Sequence, residues 1–97
     1  MQIIVTGRHV ELTDAIEQYA IKRCDHLAKY REHLQSIEVV LDKAKIEFDV
    51  EVKIDVPHHS MFVGRAAHED LYAGIDQAID KVDRQLHDWK EKLQSHK

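Results

Sequence analysis

Basic residues are concentrated in two segments of the chain that have the spacing of helices. In the first segment, side chains that are positively charged or can be protonated recur at steps of three and four residues: Lys22, His26, Lys29 and His33. This spacing predicts one side of a helix, with Arg23 beside it. Cations arranged in this way can bind several phosphate groups of a nucleic acid at once.

The last segment of the chain carries a second set of cations. Lys81 and Arg84 are one helical turn apart, and Lys90 and Lys92 follow them. Two such helices side by side would form a broad basic surface. Its binding to RNA would depend strongly on salt, because each neutralised phosphate releases counterions. The alternative is a solvated surface whose charges are paired locally with acids such as Asp83. The charge pattern alone leaves both interpretations open.

No set of residues indicates a catalytic or metal site. We find no nucleophile–base pair and no phosphate-binding loop, so we predict a protein that is not an enzyme and has no small-molecule substrate. His58 and His59 are adjacent, but no ligand spacing accompanies them, and we expect no metal and no other cofactor. Trp89 could stack on a base or close the end of the last helix against a sheet. Tyr72 is expected to pack in the core.

The composition is that of one small globular domain. The chain has 97 residues, of which 43% are hydrophobic, and a net charge of −4, which argues against a protein that coats nucleic acid indiscriminately. A local basic face can still act, since charges are screened beyond about 8 Å at physiological salt. Cys24 is the only cysteine, which favours a reducing compartment. No stretch approaches the roughly 18 apolar residues of a membrane span, so we predict a cytoplasmic protein without a membrane partner.

The segment from Ile46 to Val56 alternates between apolar and polar residues without interruption. A period of two predicts a strand with one buried face and one wet face. The outward residues are mostly acidic: Glu47, Asp49, Glu51, Lys53 and Asp55. We therefore predict that the chain separates its charge, with an acidic sheet face on one side and a basic helical surface on the other.

The remaining segments complete the order β-α-β-β-β-α. We predict strands at Gln2–Thr6, around Ile37–Leu41 and around Phe62–Ala66, and helices at Thr13–Tyr30 and from Glu69 nearly to Lys97. The first connection is long enough for a helical crossover, which favours parallel first and second strands; the other connections are expected to be tight antiparallel hairpins. Only one sheet face is apolar, so both helices must cover it. This is an α+β fold, a two-layer sandwich with a four-stranded sheet.

Several short motifs lie in order along nearly the whole chain: Met1-Gln2, Thr6-Gly7, Val10-Glu11-Leu12-Thr13, Leu27 with Tyr30, and Val39-Val40-Leu41. The most specific are in the last helix: Asp70-Leu71-Tyr72-Ala73-Gly74-Ile75-Asp76, Ile79-Asp80-Lys81-Val82, Arg84-Gln85-Leu86 and Lys90-Glu91-Lys92-Leu93. Together they resemble the bacterial ribosome hibernation promoting factors, a family also known as ribosome-associated inhibitor, protein Y and sigma-54 modulation protein. The resemblance implies the same fold, similar in shape to double-stranded-RNA-binding domains.

The resemblance also implies a function. Such proteins bind the small ribosomal subunit and its rRNA in the channel for mRNA and tRNA. They block translation in stationary phase or starvation, and they promote inactive ribosome dimers. The positions that match the family's rRNA-binding residues are Lys22, Arg23, Lys29, Lys81, Arg84, Lys90 and Lys92. Phosphate contacts would supply affinity, and the fit to the channel would supply specificity.

Length implies a place within the family. We interpret residues 1–97 as a single hibernation promoting factor domain, without the C-terminal dimerisation domain of long forms or the acidic extension of the tailed inhibitor. It therefore resembles the short factors, which act on whole ribosomes together with ribosome modulation factor. Three residues depart from the family pattern. Asp88 stands at a position that is often basic, Cys24 replaces a larger apolar residue, and Gly74 replaces alanine.

Two other functions remain open. A free-standing binder of double-stranded RNA would need its basic residues at one helix end and in a loop, whereas here they run along both predicted helices. An adaptor that binds only proteins would keep its partner after ribonuclease treatment. Cosedimentation with ribosomes from starved cells would distinguish these from the ribosomal function.

Overall fold

A computed structural model describes residues 1–95 and shows a four-stranded sheet with helices packed on one face. The strands are β1 (Gln2–Arg8), β2 (Ser36–Ala44), β3 (Glu47–Asp55) and β4 (Phe62–His68). The helices are α1 (Asp14–Cys24), a 3-10 helix (Asp25–His33) and α2 (Leu71–Ser95). The predicted order and the α+β class are confirmed. The prediction that the last helix extends nearly to Lys97 concerns residues outside those described.

The sheet has the strand order β1-β2-β3-β4, with β1 parallel to β2 and the other pairs antiparallel, as predicted. Ala44 pairs with Glu47, which leaves only Lys45 and Ile46 for the turn between β2 and β3. Ile46 was expected to face the core, but the turn removes it from the ladder and leaves it 75% exposed. The connection between β3 and β4 is also longer than expected, since residues 56–61 form a loop.

The core lies between the inner face of the sheet and α2. Strand β3 confirms the alternation, because Val50, Val52 and Ile54 are fully buried. Helix α2 contributes a buried stripe at steps of three and four residues: Leu71, Ile75, Ala78, Ile79, Val82 and Leu86. Tyr72 was expected to pack in the core, but it is 40% exposed, and Leu93 near the end of α2 is 48% exposed. Leu71 takes the core position, which turns the adjacent Tyr72 outward.

The first helical segment changes its geometry halfway. At the predicted start of the helix, the Thr13 side chain caps α1 by accepting a hydrogen bond from the Ile16 backbone N–H at 3.2 Å. The α-helix ends at Cys24, however, and a 3-10 helix follows instead of the predicted continuation to Tyr30. Residues at steps of three align in a 3-10 helix. Buried Cys24, Leu27 and Tyr30 have that spacing.

This change of geometry determines where the His33 side chain lies. His33, the next residue at a step of three after Tyr30, contacts Trp89 with ring centroids 5.3 Å apart. It therefore does not continue a stripe with Lys22 and Lys29, as uniform α-helical spacing suggested.

Burial raises the pKa of the Cys24 thiol to about 11.

Helix α2 lies very close to the edge strand β4 because Gly64 has no side chain. A Cβ atom at Gly64 would stand 2.6 Å from the Ala78 carbonyl oxygen and 2.8 Å from Val82 Cγ1. Because α2 lies this close to β4, Gln85 Nε2 can donate a 2.9 Å hydrogen bond to the carbonyl oxygen of Val63. Side chains of α2 thus cover part of the strand edge, which would otherwise be open to pairing with another chain.

Within residues 1–95, no helix combines the length and the apolar character that a membrane crossing requires.

We predict that Gly64→Ala lowers the free energy of unfolding by about 2 kcal/mol, because its Cβ meets a backbone carbonyl that cannot move away. Gly74→Ala is the matched control. There the new Cβ lies 3.1 Å from Val50 Cγ2, and the gain in helix propensity of about 1 kcal/mol opposes this crowding. Urea unfolding should show Gly64→Ala to be clearly the more destabilising change. Equal effects would contradict the close approach of α2 to β4.

Candidate nucleic-acid interface

Helix α2 directs a stripe of carboxylates toward α1 and the 3-10 helix. Asp76, Asp80 and Asp83 follow one another at steps of four and three, and so share one side of the helix. Arg23 Nε lies 2.7 Å from Asp76 Oδ1, and Arg23 Nη2 lies 3.7 Å from Asp80 Oδ1. Lys29 Nζ lies 3.1 Å from Asp83 Oδ1. Arg23 and Lys29, both predicted to bind phosphate, are therefore ion-paired within the protein.

Two tyrosines strengthen this interhelical contact. The Tyr19 hydroxyl donates a 2.7 Å hydrogen bond to Asp76, and the Tyr30 hydroxyl donates one of 3.1 Å to Asp83. The hydrogen bond to Asp76 raises the pKa of Tyr19. Burial, together with the hydrogen bond to Asp83, raises the pKa of Tyr30 to about 12. Both hydroxyls therefore stay protonated and donate at neutral pH.

Asp83 is the acid on which three groups converge. His26 Nε2 lies 3.0 Å from it, in addition to the contacts of Lys29 and Tyr30. Partial burial pushes the pKa of the Asp83 carboxyl upward, but hydrogen bonds from Lys29 and Tyr30 outweigh that effect and leave the pKa below its ordinary value. Asp83 is thus charged at neutral pH and joins the helices.

The other predicted cations differ in how strongly the protein engages them. Lys81 Nζ donates a hydrogen bond to the backbone carbonyl of Arg65 on β4. Lys90 Nζ lies 5.8 Å from the centroid of the Tyr30 ring, a cation–π contact. Lys22 and Arg84 are exposed, and no acidic side chain in residues 1–95 forms an ion pair with either. Lys92 is exposed near the end of α2.

Arg84 occupies the ridge of α2 between two depressions. One is a groove between the 3-10 helix and α2, which Lys29, Tyr30 and His87 also line. The other lies above β4, where Lys81 is a neighbour. Arg84 therefore borders both depressions, while Asp80 and Asp83 also line the groove that contains Lys29.

The outer face of the sheet carries mainly acids, as predicted, with several held by local partners. Arg65 Nε lies 2.6 Å from Glu51 Oε2, and Lys53 Nζ lies 3.5 Å from Glu51 Oε1. The hydrogen bond from Arg65 lowers the pKa of Glu51, so this carboxylate stays charged at neutral pH. The charge is thus separated by face, but the stripe on α2 brings acids into the helical layer as well.

Trp89 packs within the protein. Its ring lies between His33, His59 and Phe62, at centroid distances of 5.3, 5.6 and 5.7 Å, and closes the end of α2 against the sheet. This is the second of the two roles that the sequence left open. Tyr72 meets the Tyr19 ring edge to face at 4.8 Å. Among the residues described, no three potential metal ligands come together, even in the loop that contains His59.

The carboxylate stripe is the feature that the sequence prediction missed. Its spacing is visible in the sequence, and Asp83 was considered as a partner for nearby cations. The signal was incomplete because the partners Arg23 and Lys29 are more than fifty residues away, and only the folded chain brings them together. Arg65 was not predicted to bind phosphate, because it lies in strand β4 and outside the helical spacing of the basic residues.

Comparisons with known proteins identify relatives along nearly the whole chain. The model of the family described as sigma 54 modulation protein / S30EA ribosomal protein matches residues 3–94. The ribosome hibernation promoting factor of Pseudomonas putida is 35% identical over 95 residues, which are 98% of this chain and 92% of that protein. The factor of the same name from Escherichia coli K12 is 32% identical over 96 residues, covering 99% and 100% of the two chains.

Solved structures of two proteins superpose on nearly the whole of this chain. The N-terminal domain of Thermus thermophilus Protein Y superposes with a TM-score of 0.82 at 32% identity, over 92% of this chain and 99% of that one. A ribosomal subunit interface protein from Coxiella burnetii superposes with a TM-score of 0.86 over 94% and 99%. At 23% identity, this second match shows the shared fold alone.

The contacts of Asp83 lead to a pH-dependent prediction. A carboxyl group whose pKa is lower in the folded protein than in the unfolded chain stabilises the folded protein at pH values above its unfolded pKa. That stabilisation is lost as the pH falls through its folded pKa. We expect Asp83→Asn to lower the free energy of unfolding by about 1 kcal/mol at pH 7. The difference from the unsubstituted protein should shrink as the pH falls below about 4.

Asp80→Asn is the matched control, because Asp80 is largely exposed and 3.7 Å from its partner. It should change the free energy of unfolding by less than about 0.5 kcal/mol. Urea unfolding at several pH values measures both variants. An Asp83→Asn effect that does not change with pH would contradict the role given to the charge.

Proposed function

Because the chain belongs to the sigma 54 modulation protein / S30EA ribosomal protein family, we propose that it binds the small ribosomal subunit and blocks translation. Members of this family are ribosome-binding regulators and not enzymes. We place its action in the cytoplasm, where ribosomes work, during stationary phase or starvation. The proposal rests on the match to ribosome hibernation promoting factors over nearly the full length of both chains.

The proposed mechanism is occlusion by a folded domain. The domain would occupy the channel where mRNA and the tRNAs of the A and P sites lie, so that neither can enter. No bond needs to be made or broken. The contacts would be between lysine or arginine side chains and rRNA phosphates, which position the protein without reading sequence. The shape of the domain would supply the specificity.

The exposed cations of the helical layer support this mechanism. Lys22 and Arg84 form no ion pair with the described part of the chain, so they can engage phosphates without breaking an internal contact. Arg23 and Lys29 are different, because binding would have to use the donors that their aspartates leave free. We therefore assign the larger share of the affinity to Lys22 and Arg84.

We further propose that the protein promotes inactive ribosome dimers together with ribosome modulation factor. This proposal is supported by the name of the Pseudomonas putida and Escherichia coli relatives, ribosome hibernation promoting factor. The two small proteins would then bind one ribosome at the same time.

We predict that Arg84→Glu weakens binding to ribosomes at least tenfold while the domain stays folded. Reversing an exposed charge usually changes stability by less than about 0.5 kcal/mol, whereas it replaces attraction to a phosphate with repulsion. Arg8→Glu is the matched control, since Arg8 is an exposed arginine on the opposite edge strand β1. Pelleting with ribosomes and circular dichroism measure the two effects. Unchanged pelleting of a folded Arg84→Glu protein would contradict the proposed interface.

A second prediction concerns ribosome dimers. Adding the protein with ribosome modulation factor to purified ribosomes should increase the dimer peak in a sucrose gradient. The protein alone should suppress translation of a reporter mRNA, because occlusion does not require dimers. Ribosomes with modulation factor alone serve as the control. A loss of dimers on addition of the protein would contradict the dimer proposal but leave the translation block standing.

A further inference from the structure

The depression above β4 brings together cations from a strand and a helix. Its lining includes Arg65 on β4 and Lys81 and Arg84 on α2, with Gly64 as its floor. Lys81 and Arg84 were expected to face outward from a helix, but Arg65 belongs to the sheet. It is also absent from the positions that match the family's rRNA-binding residues.

Arg65 and Lys81 are held in place at this depression and still have free donors. The Lys81 ammonium has three N–H donors and gives one to the backbone carbonyl of Arg65, so its charge lies beside that residue. The Arg65 side chain is 76% exposed and uses Nε for Glu51, which leaves its terminal amino groups free. Tethered cations lose less conformational freedom on binding than mobile ones.

Gly64 lets α2 pack directly against the strand, which places Lys81 and Arg84 beside Arg65. No side chain can occupy this position without displacing α2, since a Cβ atom would lie 2.6 Å from the Ala78 carbonyl oxygen. Asp88 also lines the depression and opposes an anion there. Three cations face Asp88 and the Glu51 carboxylate that pairs with Arg65, so one positive charge remains in excess and favours an anion.

We propose that Arg65, Lys81 and Arg84 form a binding site for a phosphate group of an RNA backbone. The contact with RNA then continues from the helical layer around the β4 edge of the sheet. This inference rests on the proposed function and adds Arg65 to it as a binding residue. RNA is favoured over an acidic protein segment, because phosphates line the proposed channel and arginine binds them through paired N–H groups.

The test compares Arg65→Gln with Arg8→Gln, which removes the same charge from the opposite edge strand. Binding to ribosomes is measured at several salt concentrations. Removing one phosphate contact should decrease the slope of log K against log salt by about 0.7 to 0.9. We expect this decrease for Arg65→Gln, with binding weakened roughly fivefold at low salt. Arg8→Gln should match the unsubstituted protein in its salt slope and in its affinity at low salt.

A further variant separates binding from folding. Glu51→Gln breaks the same ion pair as Arg65→Gln but keeps the arginine, so it should bind ribosomes at least as tightly as the unsubstituted protein. Weakening by both variants would make Arg65 structural and overturn the site. Weaker binding by Arg65→Gln with an unchanged salt slope would point to an acidic protein partner and also overturn it. If the unsubstituted protein binds no ribosomes, the proposed function itself fails.

Discussion

The packing of α2 on β4 depends on a strand position that has no side chain. Glycine inside a strand weakens that strand by roughly 0.5–1 kcal/mol relative to alanine. Here it lets the backbone of Ala78 and the side chain of Val82 approach closely, so that both are fully buried. This close packing also fixes the rotation of α2 about its own axis. With one flank held against the β4 carbonyls, the opposite flank must direct its acids toward Arg23 and Lys29.

A protein with a net charge of −4 must keep its acids away from RNA if it is to bind phosphates. It does so in two ways. The acids of the sheet lie on its outer face, and even the two shorter extents of the domain, 21 and 19 Å, exceed the screening length of about 8 Å. Asp76 and Asp83 of α2 lie within the helical layer, but they are paired there with Arg23 and Lys29. The cations left over, such as Lys22 and Arg84, then determine the field that an approaching backbone meets.

Local patterns predicted the elements well, because strand alternation and helical spacing are imposed by neighbours in sequence. The failures occurred where a distant part of the chain decides the outcome. Ile46 follows the alternation of β3, but its pairing with β2 requires a turn there. Cys24, Leu27 and Tyr30 fit an α-helix roughly and a 3-10 helix better, and packing against the sheet and α2 selects the latter. The predicted cations were located on the helices, yet their pairing depended on the interhelical angle, which no sequence spacing contains.

The burial of Cys24 gives the protein a built-in reporter of its own motion. With its pKa raised to about 11 by burial, the Cys24 thiol stays protonated at pH 7, and it is buried between α1 and the core. A disulfide reagent can react only when this part of the helical layer lifts from the sheet. The labelling rate of this single thiol therefore measures how often this region opens, without any added probe.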